Sequence, residues 1–215
     1  MFVLIIDYGS GNIKSVYNSV KKTLQNLNKS SVLKVSSNIS EISKADKIIL
    51  PGVGSFNQCM DRIIKISGLV ETLNDQINIK RKPFLGICVG MQILANYGYE
   101  NQKTQGLSWI DGDVKSLKNF ICVSQNLKIP HMGWNNLSIS KSNNLFDDIT
   151  EEDQFYFVHS YFFDIKQKNN IICNTKYGIN IPAIVNKDNI FGFQFHPEKS
   201  GQSGLKILYN RLKLI

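Results

Sequence analysis

Continuous apolar runs alternate with amphipathic stretches in the first half of the chain, and this alternation restricts the fold more than any other sequence feature. The apolar runs have the length of buried strands and occupy residues 2–7, 32–35, 47–50 and 84–87. Helical periodicity is found at residues 13–27 and 69–79, and a third helix is predicted from residue 88 to about residue 96. Strands that alternate with helices pair in parallel, because each helix returns the chain across one face of the sheet. The pattern predicts a mostly parallel central sheet with helices on both faces.

The second half of the chain carries shorter strand-like runs with turn residues between them. These runs occupy residues 109–117, 136–139, 155–158, 171–177, 183–186 and 190–195, and residues 205–212 form a last helix. Residues 186–189, Asn-Lys-Asp-Asn, favour a hairpin turn. The predicted fold class is α/β, as a single domain over residues 1–215. Its mixed, mostly parallel central sheet is flanked by helices, with additional antiparallel strands in the C-terminal half.

Composition restricts where such a chain works. Hydrophobic residues make up 42% and charged residues 20%, which is ordinary for a globular protein. No apolar run approaches the roughly 20 residues of a membrane helix, and the first one ends at Asp7 without a basic leader. The four cysteines, Cys59, Cys88, Cys122 and Cys173, form no C-x-x-C pair, so reduced thiols are expected. These observations predict a cytoplasmic protein with no membrane segment.

The charge pattern argues against nucleic-acid binding. Lys plus Arg is 25 and Asp plus Glu is 17, which gives a net charge of +8. The positive residues are scattered, and the densest clusters, residues 21–22 and 80–82, are too short for a nucleic-acid arm. The sequence contains no metal-ligand cluster and no dinucleotide fingerprint, so we expect no metal and no cofactor.

The first candidate for catalysis is a cysteine between two glycines. Gly86, Cys88 and Gly90 follow a predicted strand and open a predicted helix, which is the form of a nucleophile elbow. Glycine is needed on both sides because helix and strand cross closely there. The N–H of Val89 would then point at the oxyanion of a tetrahedral intermediate. The alternative is a buried structural cysteine flanked by turn glycines.

A cysteine nucleophile needs a base, and the chain has three histidines, His131, His159 and His196. His196 ends a predicted strand, as the cysteine does, and is followed by Pro197 and Glu198. Proline keeps the local chain extended, and side chains two positions apart in an extended chain point the same way, so Glu198 can reach the ring. His159 is the competing base, although its aromatic surroundings favour a packed, hydrogen-bonded residue. His131 is expected in a loop.

These motifs resemble the signatures of class I glutamine amidotransferases. The cysteine signature covers residues 86–92, the histidine signature covers residues 195–200, and residues 51–54 resemble the oxyanion strand of that family. Residues 7–12, 130–135 and 156–161 resemble the glutaminase subunits that work with a separate synthase. Each stretch is short, but together, in this order, they span the chain from end to end.

The resemblance implies a role for each matching residue. Cys88 would attack the side-chain amide of glutamine, His196 would protonate the leaving ammonia and then activate water, and Glu198 would orient His196. The backbone of Gly52, Val53 and Val89 would form the oxyanion hole. The remaining implied residues would bind the ends of glutamine (Gln92, Ser160, Tyr161 and Phe162) or face the partner and the ammonia exit. The second group consists of Lys199 and a predicted loop over residues 130–135 (Pro130, Met132, Trp134 and Asn135).

The resemblance also implies a partner enzyme. The substrate would be glutamine, and the ammonia acceptor would be bound to a (β/α)₈-barrel cyclase in a heterodimer. Residues 106–111 resemble a related group that supplies a sugar-modifying synthetase in surface polysaccharide synthesis. Three other classes are left open: a stand-alone γ-glutamyl hydrolase or cysteine peptidase, a non-enzymatic subunit, and a nucleic-acid binder.

Overall fold

The computed structural model describes residues 1–27, 30–121, 127–139 and 143–214. Its first half alternates strands and helices as the apolar runs predict. The elements in chain order are β1 (Phe2–Ile6), α1 (Ile13–Asn26), β2 (Val32–Ser36), α2 (Ile39–Lys44), β3 (Lys47–Gly52), α3 (Phe56–Lys65), α4 (Leu69–Asn74), β4 (Phe84–Cys88) and α5 (Val89–Gln92). A short π-helix, Asp75–Ile79, continues α4, so the predicted helix over residues 69–79 consists of two helical forms.

The second half is dominated by strands. These are β5 (Tyr97–Gly98), β6 (Thr104–Gln105), β7 (Gly112–Ser116), β8 (His131–Asn136), β9 (Ser138–Ile139), β10 (Gln154–His159), β11 (Tyr161–Ile165), β12 (Ile171–Tyr177), β13 (Ile179–Lys187) and β14 (Ile190–Phe193), followed by α6 (Gly201–Lys213). In α6 the helix begins four residues before the predicted start at residue 205.

An eight-stranded sheet forms the centre of the molecule, in the order β2-β1-β3-β4-β14-β13-β12-β9. Pairing is parallel from β2 through β14 and antiparallel from β14 through β9. Two smaller sheets, β10-β8 and β11-β7-β5-β6, lie outside it. The predicted fold class, a mixed and mostly parallel sheet with antiparallel strands added in the C-terminal half, is confirmed.

The core lies between this sheet and its helices. In α1 the buried residues Val16, Val20 and Leu24 recur every four positions, as the periodicity of one helix face requires. Strands β3 and β4 are buried along their whole length, which explains their continuous apolar runs. Fully burying one such side chain stabilises the fold by about 1.5–3 kcal/mol before entropy is counted.

Three local predictions were wrong. The helix after Cys88 ends at Gln92, because Leu94 and Ala95 make i→i−3 bonds and the next residue bonds to the carbonyl of Gly112 on β7. The predicted strand over residues 109–117 shortens to β7, since the indole of Trp109 instead packs inward and donates to Asn74. The partner-facing stretch over residues 130–135, predicted as a loop, lies almost entirely in β8. Helices α2 and α3 were not predicted.

No helix in the part of the chain that the structure describes is long and apolar enough to span a membrane. Three of the four cysteines, Cys59, Cys88 and Cys173, are free and buried. Cys122 lies outside the described residues.

Candidate active site

Cys88 sits at a sharp turn between β4 and α5. Its backbone has φ +55° and ψ −113°, a conformation that costs a non-glycine residue on the order of 1–3 kcal/mol. A Cβ on Gly86 would overlap the carbonyl group of Gly90, and a Cβ on Gly90 would overlap the carbonyl oxygen of Leu50 on β3. Both glycines are therefore required by close approach, as the elbow interpretation predicts, and the strained turn is enforced by the packing around it.

His196 reaches the same edge of the sheet from β14. This strand pairs in parallel with β4, with Phe193 opposite Ile87, so the residues that follow on both strands emerge together. The His196 N–H donates to the carbonyl of Tyr156 at 2.9 Å. The Ser200 hydroxyl donates to the His196 carbonyl at 2.6 Å and accepts the Tyr156 N–H at 2.9 Å. These bonds fix the backbone of the histidine against β10.

Glu198 contacts the His196 ring, as the spacing predicts. The ring Nδ1 and the carboxylate Oε1 lie 2.8 Å apart, and both side chains are buried. The local conformation differs from the prediction, because residues Pro197–Lys199 form a 3-10 turn and not an extended segment. The turn brings the carboxylate back under the ring and fixes its orientation.

The charge state of His196 follows from its neighbours. Burial by itself would lower its pKa, but the negative charge and hydrogen bonding of Cys88, and then those of Glu198, outweigh burial and raise the pKa to about 10. These two neighbours therefore favour the protonated form of the ring. The stability that this ionisation contributes is fully present below the unfolded pKa of 6.5 and is lost as the pH rises through about 10.

Cys88 and His196 line one open cavity of about 280 Å³. This is slightly below the roughly 300–1,000 Å³ of pockets for drug-sized ligands, which suits a free amino acid. Six other residues that the resemblance gives a role line the cavity, Val53, Val89, Gln92, Pro130, Ser160 and Tyr161, together with the competing base His159. Gly54 and Val158 belong to matching stretches but have no implied role, and Glu100 was not indicated by the sequence.

The predicted oxyanion residues lie next to Cys88 or line its cavity, but one of their N–H groups donates to another residue. Gly52 lies opposite Cys88 in the β3–β4 register, and Val89 supplies the first amide of α5. The Val53 N–H donates to the Ser10 hydroxyl at 3.4 Å, while the same hydroxyl donates to the Val53 carbonyl. In this conformation the Val53 amide is directed towards Ser10.

Three of the four residues predicted to hold glutamine line the cavity, and Phe162 does not. The Gln92 side chain is buried, and its Nε2 donates to the Tyr161 carbonyl at 3.0 Å, so the two residues are joined by a hydrogen bond. Ser160 lies between β10 and β11 at the cavity wall. The Phe162 ring lies in a separate small apolar cluster with Leu117, so its side chain does not line the cavity.

Two residues in and around the cavity were missed from the sequence. Glu100 is its acidic wall, and its Oε2 accepts the Phe56 N–H at 2.8 Å. It follows a two-residue strand in an irregular segment, where no sequence pattern indicates it. Gln194 is fully buried with its Nε2 3.9 Å from the Cys88 sulfur. Its position two residues before His196, in the same extended segment, is the signal that could have identified it.

The residues predicted to face a partner differ in where their side chains lie. Met132 and Trp134 on β8 are 64% and 54% exposed, which is high for large apolar side chains. The Trp134 ring lies 6.0 Å from that of Tyr156, and the Lys199 ammonium lies 5.6 Å from the same ring. Pro130 lines the cavity. The side chain of Asn135 instead bonds inward, to the Lys176 carbonyl and to His131.

The two remaining histidines form a buried pair. His131, which was expected in a loop, is the first residue of β8 and is buried between the rings of Phe157 and Tyr177, so that expectation was wrong. Its Nδ1 lies 3.0 Å from Nε2 of His159. Burial lowers the pKa of His131 to about 4, and burial together with the neighbouring His131 lowers that of His159 to about 3. Both rings are neutral at pH 7.

The buried pair should make the protein acid-sensitive. Below pH 6.5 the unfolded protein binds a proton at this histidine but the folded protein does not, so stability falls as the pH drops towards 4. His131→Asn removes one such group. The slope of the variant's free energy of unfolding against pH should therefore be smaller than that of the wild type, by up to about 1.4 kcal/mol per pH unit. Urea unfolding at pH 7, 6 and 5 measures the slope. Equal slopes in the two proteins would show that His131 does not resist protonation.

The chain belongs to the class-I glutamine amidotransferase family, whose profile, described as "Glutamine amidotransferase class-I", matches residues 4–214. Within it, the chain is 46% identical over 214 residues to imidazole glycerol phosphate synthase subunit HisH of Pelagibacter ubique, with 100% of both chains covered. It is 41% identical over 216 residues to the protein of that name from Brucella suis, with 99% of both covered. It is 40% identical over 213 residues to subunit HisH 2 of Pseudomonas aeruginosa, covering 99% and 100%.

Solved structures agree with the fold. A structure titled as a glutamine amidotransferase matches with a TM-score of 0.70 at 14% identity, covering 99% of both chains. A glutamine amidotransferase from Thermotoga maritima matches with a TM-score of 0.61 at 17% identity, covering 94% of this chain and 78% of the other. At these identities the likeness shows the fold alone.

Proposed function

We propose that this chain is the glutaminase subunit of an imidazole glycerol phosphate synthase, with Cys88, His196 and Glu198 as its catalytic triad. One observation carries the proposal: a cysteine with a strained backbone shares a cavity with a histidine whose ring is hydrogen-bonded to a buried carboxylate. The family assignment and the names of the full-length relatives support it.

In the first half-reaction the Cys88 thiolate attacks the side-chain carbonyl carbon of glutamine. A C–S bond forms and the carbonyl oxygen becomes an oxyanion. When the intermediate collapses, the C–N bond breaks and the His196 imidazolium gives its proton to the leaving nitrogen, so that ammonia departs. Glu198 stabilises the imidazolium before this step and holds the ring afterwards. The product is a γ-glutamyl thioester on Cys88.

In the second half-reaction the neutral His196 takes a proton from water. The resulting hydroxide attacks the thioester carbonyl, the C–S bond breaks, and the thiolate leaves with its electron pair. Glutamate is released and the imidazolium–thiolate pair is restored. The histidine thus acts as acid and then as base, which requires one ring nitrogen to be fixed by Glu198 and the other to face the sulfur.

Backbone amides would stabilise the two oxyanions, and polar walls would bind the substrate ends. The Val89 N–H follows Cys88 directly, and the Val53 N–H can contribute once it leaves the Ser10 hydroxyl. Gln92 and the backbone of residues 160–162 would hold the glutamine backbone groups. We add Glu100 to this set, because its carboxylate lines the cavity and suits the substrate's α-ammonium group.

The ammonia would pass to a (β/α)₈-barrel cyclase bound over the β8–β10 surface. There it would be built into imidazole glycerol phosphate, with release of 5-aminoimidazole-4-carboxamide ribotide (AICAR), in histidine biosynthesis. Ammonia must travel shielded from water, because the ammonium ion is not a nucleophile. The exposed Met132 and Trp134 support this docking face, since large apolar side chains dominate protein interfaces. The free thiols are consistent with the cytoplasm as the compartment.

Reconstitution tests the proposal. The chain is mixed with candidate (β/α)₈-barrel cyclases, and both glutamine hydrolysis and product formation are followed. We expect a cyclase to raise hydrolysis and to yield imidazole glycerol phosphate from glutamine. Activation only by a sugar-modifying synthetase would favour surface polysaccharide synthesis, as the resemblance of residues 106–111 suggests. Full turnover that no partner changes would instead indicate a stand-alone hydrolase.

A pair of variants locates the partner in the same experiment. Trp134→Ala should weaken the complex by roughly 30-fold, because a buried interface tryptophan contributes about 2 kcal/mol or more. Ile79→Ala is the matched control: Ile79 is also a large exposed apolar residue, at 75% exposure, but it precedes β4 and so lies at the opposite end of that strand from Cys88. If both variants bind the partner with equal affinity, β8 is not part of the interface.

A further inference from the structure

Gln194 and Cys88 occupy adjacent positions on neighbouring parallel strands. Phe193 pairs with Ile87 at the end of the β14–β4 ladder, so the next residues on the two strands are brought side by side. The Gln194 Nε2 lies 3.9 Å from the Cys88 sulfur, and the glutamine side chain is fully buried. A carboxamide N–H in this position stabilises negative charge on the sulfur and fixes where the sulfur lies.

A second glutamine fixes the first. The Gln92 Nε2 donates to the Gln194 Oε1 at 3.0 Å and to the Tyr161 carbonyl at 3.0 Å. Two acceptors at one carboxamide end require the nitrogen there, which sets the orientation of Gln92. A flipped Gln194 would place its NH₂ group against that of Gln92, so its nitrogen must face the sulfur. The network therefore determines both amide orientations.

The Tyr161 carbonyl also sets the tautomers of the buried histidine pair. His159 Nδ1 lies 2.9 Å from this oxygen, and a carbonyl can only accept, so Nδ1 carries the proton. In the neutral ring Nε2 must then accept, which makes His131 Nδ1 the donor across their 3.0 Å contact. His131 Nε2 in turn accepts from the Asn135 carboxamide at 3.2 Å. Each of these three contacts thus joins one donor to one acceptor.

We propose that Gln194 is the positioning residue of the nucleophile. It is held by a hydrogen-bonded chain that runs from Asn135 through the two buried histidines, the Tyr161 carbonyl and Gln92. This hydrogen-bonded chain connects β8, β10, β11 and α5 with the residue that follows β14, and it joins segments from both halves of the protein. It deepens the proposed function and rests on it, since Gln194 acts by holding Cys88 ready for attack on the amide.

Alkylation of the thiol tests the contact with Gln194. Iodoacetamide is applied to the full-length chain from pH 5 to 10, and mass spectrometry of peptides separates Cys88 from the other three cysteines. In Gln194→Leu the midpoint of the Cys88 profile should move to higher pH by about one unit, because the thiolate loses a donor. Gln76→Leu is the control, since Gln76 is also a buried glutamine but lies outside the network. His196, Glu198 and Cys59 are kept in every variant.

If Gln194→Leu folds poorly, Gln194→Asn replaces it, because the shorter carboxamide stays polar but cannot reach the sulfur. A profile that superimposes on that of the wild type, or a shift that Gln76→Leu reproduces, overturns the role of Gln194. In the reconstituted enzyme, kcat for glutamine should fall about tenfold in Gln194→Leu while KM changes about twofold or less. An unchanged kcat, or a loss confined to KM, also counts against positioning of the nucleophile.

The part of the hydrogen-bonded chain that lies farthest from Cys88 is tested with two variants of His131. His131→Leu removes the donor to His159 and should shift the alkylation midpoint in the same direction as Gln194→Leu, by a smaller amount. His131→Asn places a donor where Nδ1 lies and should restore the wild-type profile. If the two variants have equal alkylation profiles at equal thermal stability, the histidines do not belong to the hydrogen-bonded chain. Alkylation needs neither glutamine nor a partner, so failure of the proposed function would be seen separately, as a wild-type protein that never hydrolyses glutamine.

Discussion

Cys88→Ala should abolish glutamine-dependent synthesis by the reconstituted enzyme while ammonia-dependent synthesis continues. The thiol forms the only covalent bond to the substrate in the proposed mechanism, and loss of a nucleophile typically costs on the order of 10⁶-fold in kcat. Ammonia supplied in solution bypasses this subunit, so that rate should stay within about twofold of the wild-type rate if the synthase is intact. The measurement compares product formation with glutamine and with ammonium chloride at pH 8.5.

The alanine is well suited to the site, because it is a non-glycine residue like cysteine and leaves the strained backbone of residue 88 unchanged. Thermal unfolding and complex formation should therefore match those of the wild type. Cys173→Ala is the matched control, since it also removes a buried free thiol but lies on β12, outside the cavity lining. Residual glutamine hydrolysis by Cys88→Ala, or loss of the ammonia-dependent rate in a folded complex, would show that the nucleophile is wrongly assigned.

His196→Ala should lower glutamine turnover by about 10⁴-fold or more, and Glu198→Gln should cost roughly 10- to 100-fold less than that. The histidine carries the proton in both half-reactions, whereas the carboxylate only orients and stabilises it. A glutamine at position 198 can still accept from Nδ1 through its amide oxygen, but it supplies no negative charge to the imidazolium 2.8 Å away. Steady-state kcat and KM of both variants in the complex give the comparison.

Folding has to be controlled in this series, because His196→Ala leaves the Glu198 carboxylate buried without its partner. His196→Asn avoids this, since its amide lies where Nδ1 was and retains the bond to Glu198 while the second ring nitrogen is missing. It should be as inactive as His196→Ala but more stable. A Glu198→Gln variant that loses as much activity as either histidine variant would contradict the assignment of Glu198 as the orienting residue.

Local patterns in the sequence were enough to predict the parallel strands of the main sheet and the turn that carries Cys88. Continuous apolar runs identified β1, β3 and β4, because strands covered on both faces have no polar positions. The Gly86-to-Gly90 motif identified the turn at Cys88, since a side chain at Gly86 would overlap the backbone of Gly90 only four residues away. The spacing of His196 and Glu198 identified their contact for the same reason, although the 3-10 turn between them was not foreseen.

The errors arose where the sequence signal was weak or was overridden by tertiary contacts. The helix predicted to residue 96 stops at Gln92, because Asn96 pairs with the carbonyl of Gly112, a partner that no local pattern can indicate. His131 looked like a loop residue, but β8 pairs with β10 and buries it. The burial of β8 does alternate with period 2, but two of its exposed positions are the apolar Met132 and Trp134, so the sequence shows no alternation of polarity.

The sequence by itself determined the α/β class, the strained cysteine turn and the histidine with its carboxylate, since each depends on residues that are neighbours along the chain. Only the tertiary structure decided that Gln194 lies beside the sulfur, that Glu100 closes the cavity, and that the Val53 amide is directed to Ser10. Those contacts join segments separated by tens of residues. Their geometry is set by strand order and register, which depend on the packing of the whole sheet and not on any one segment.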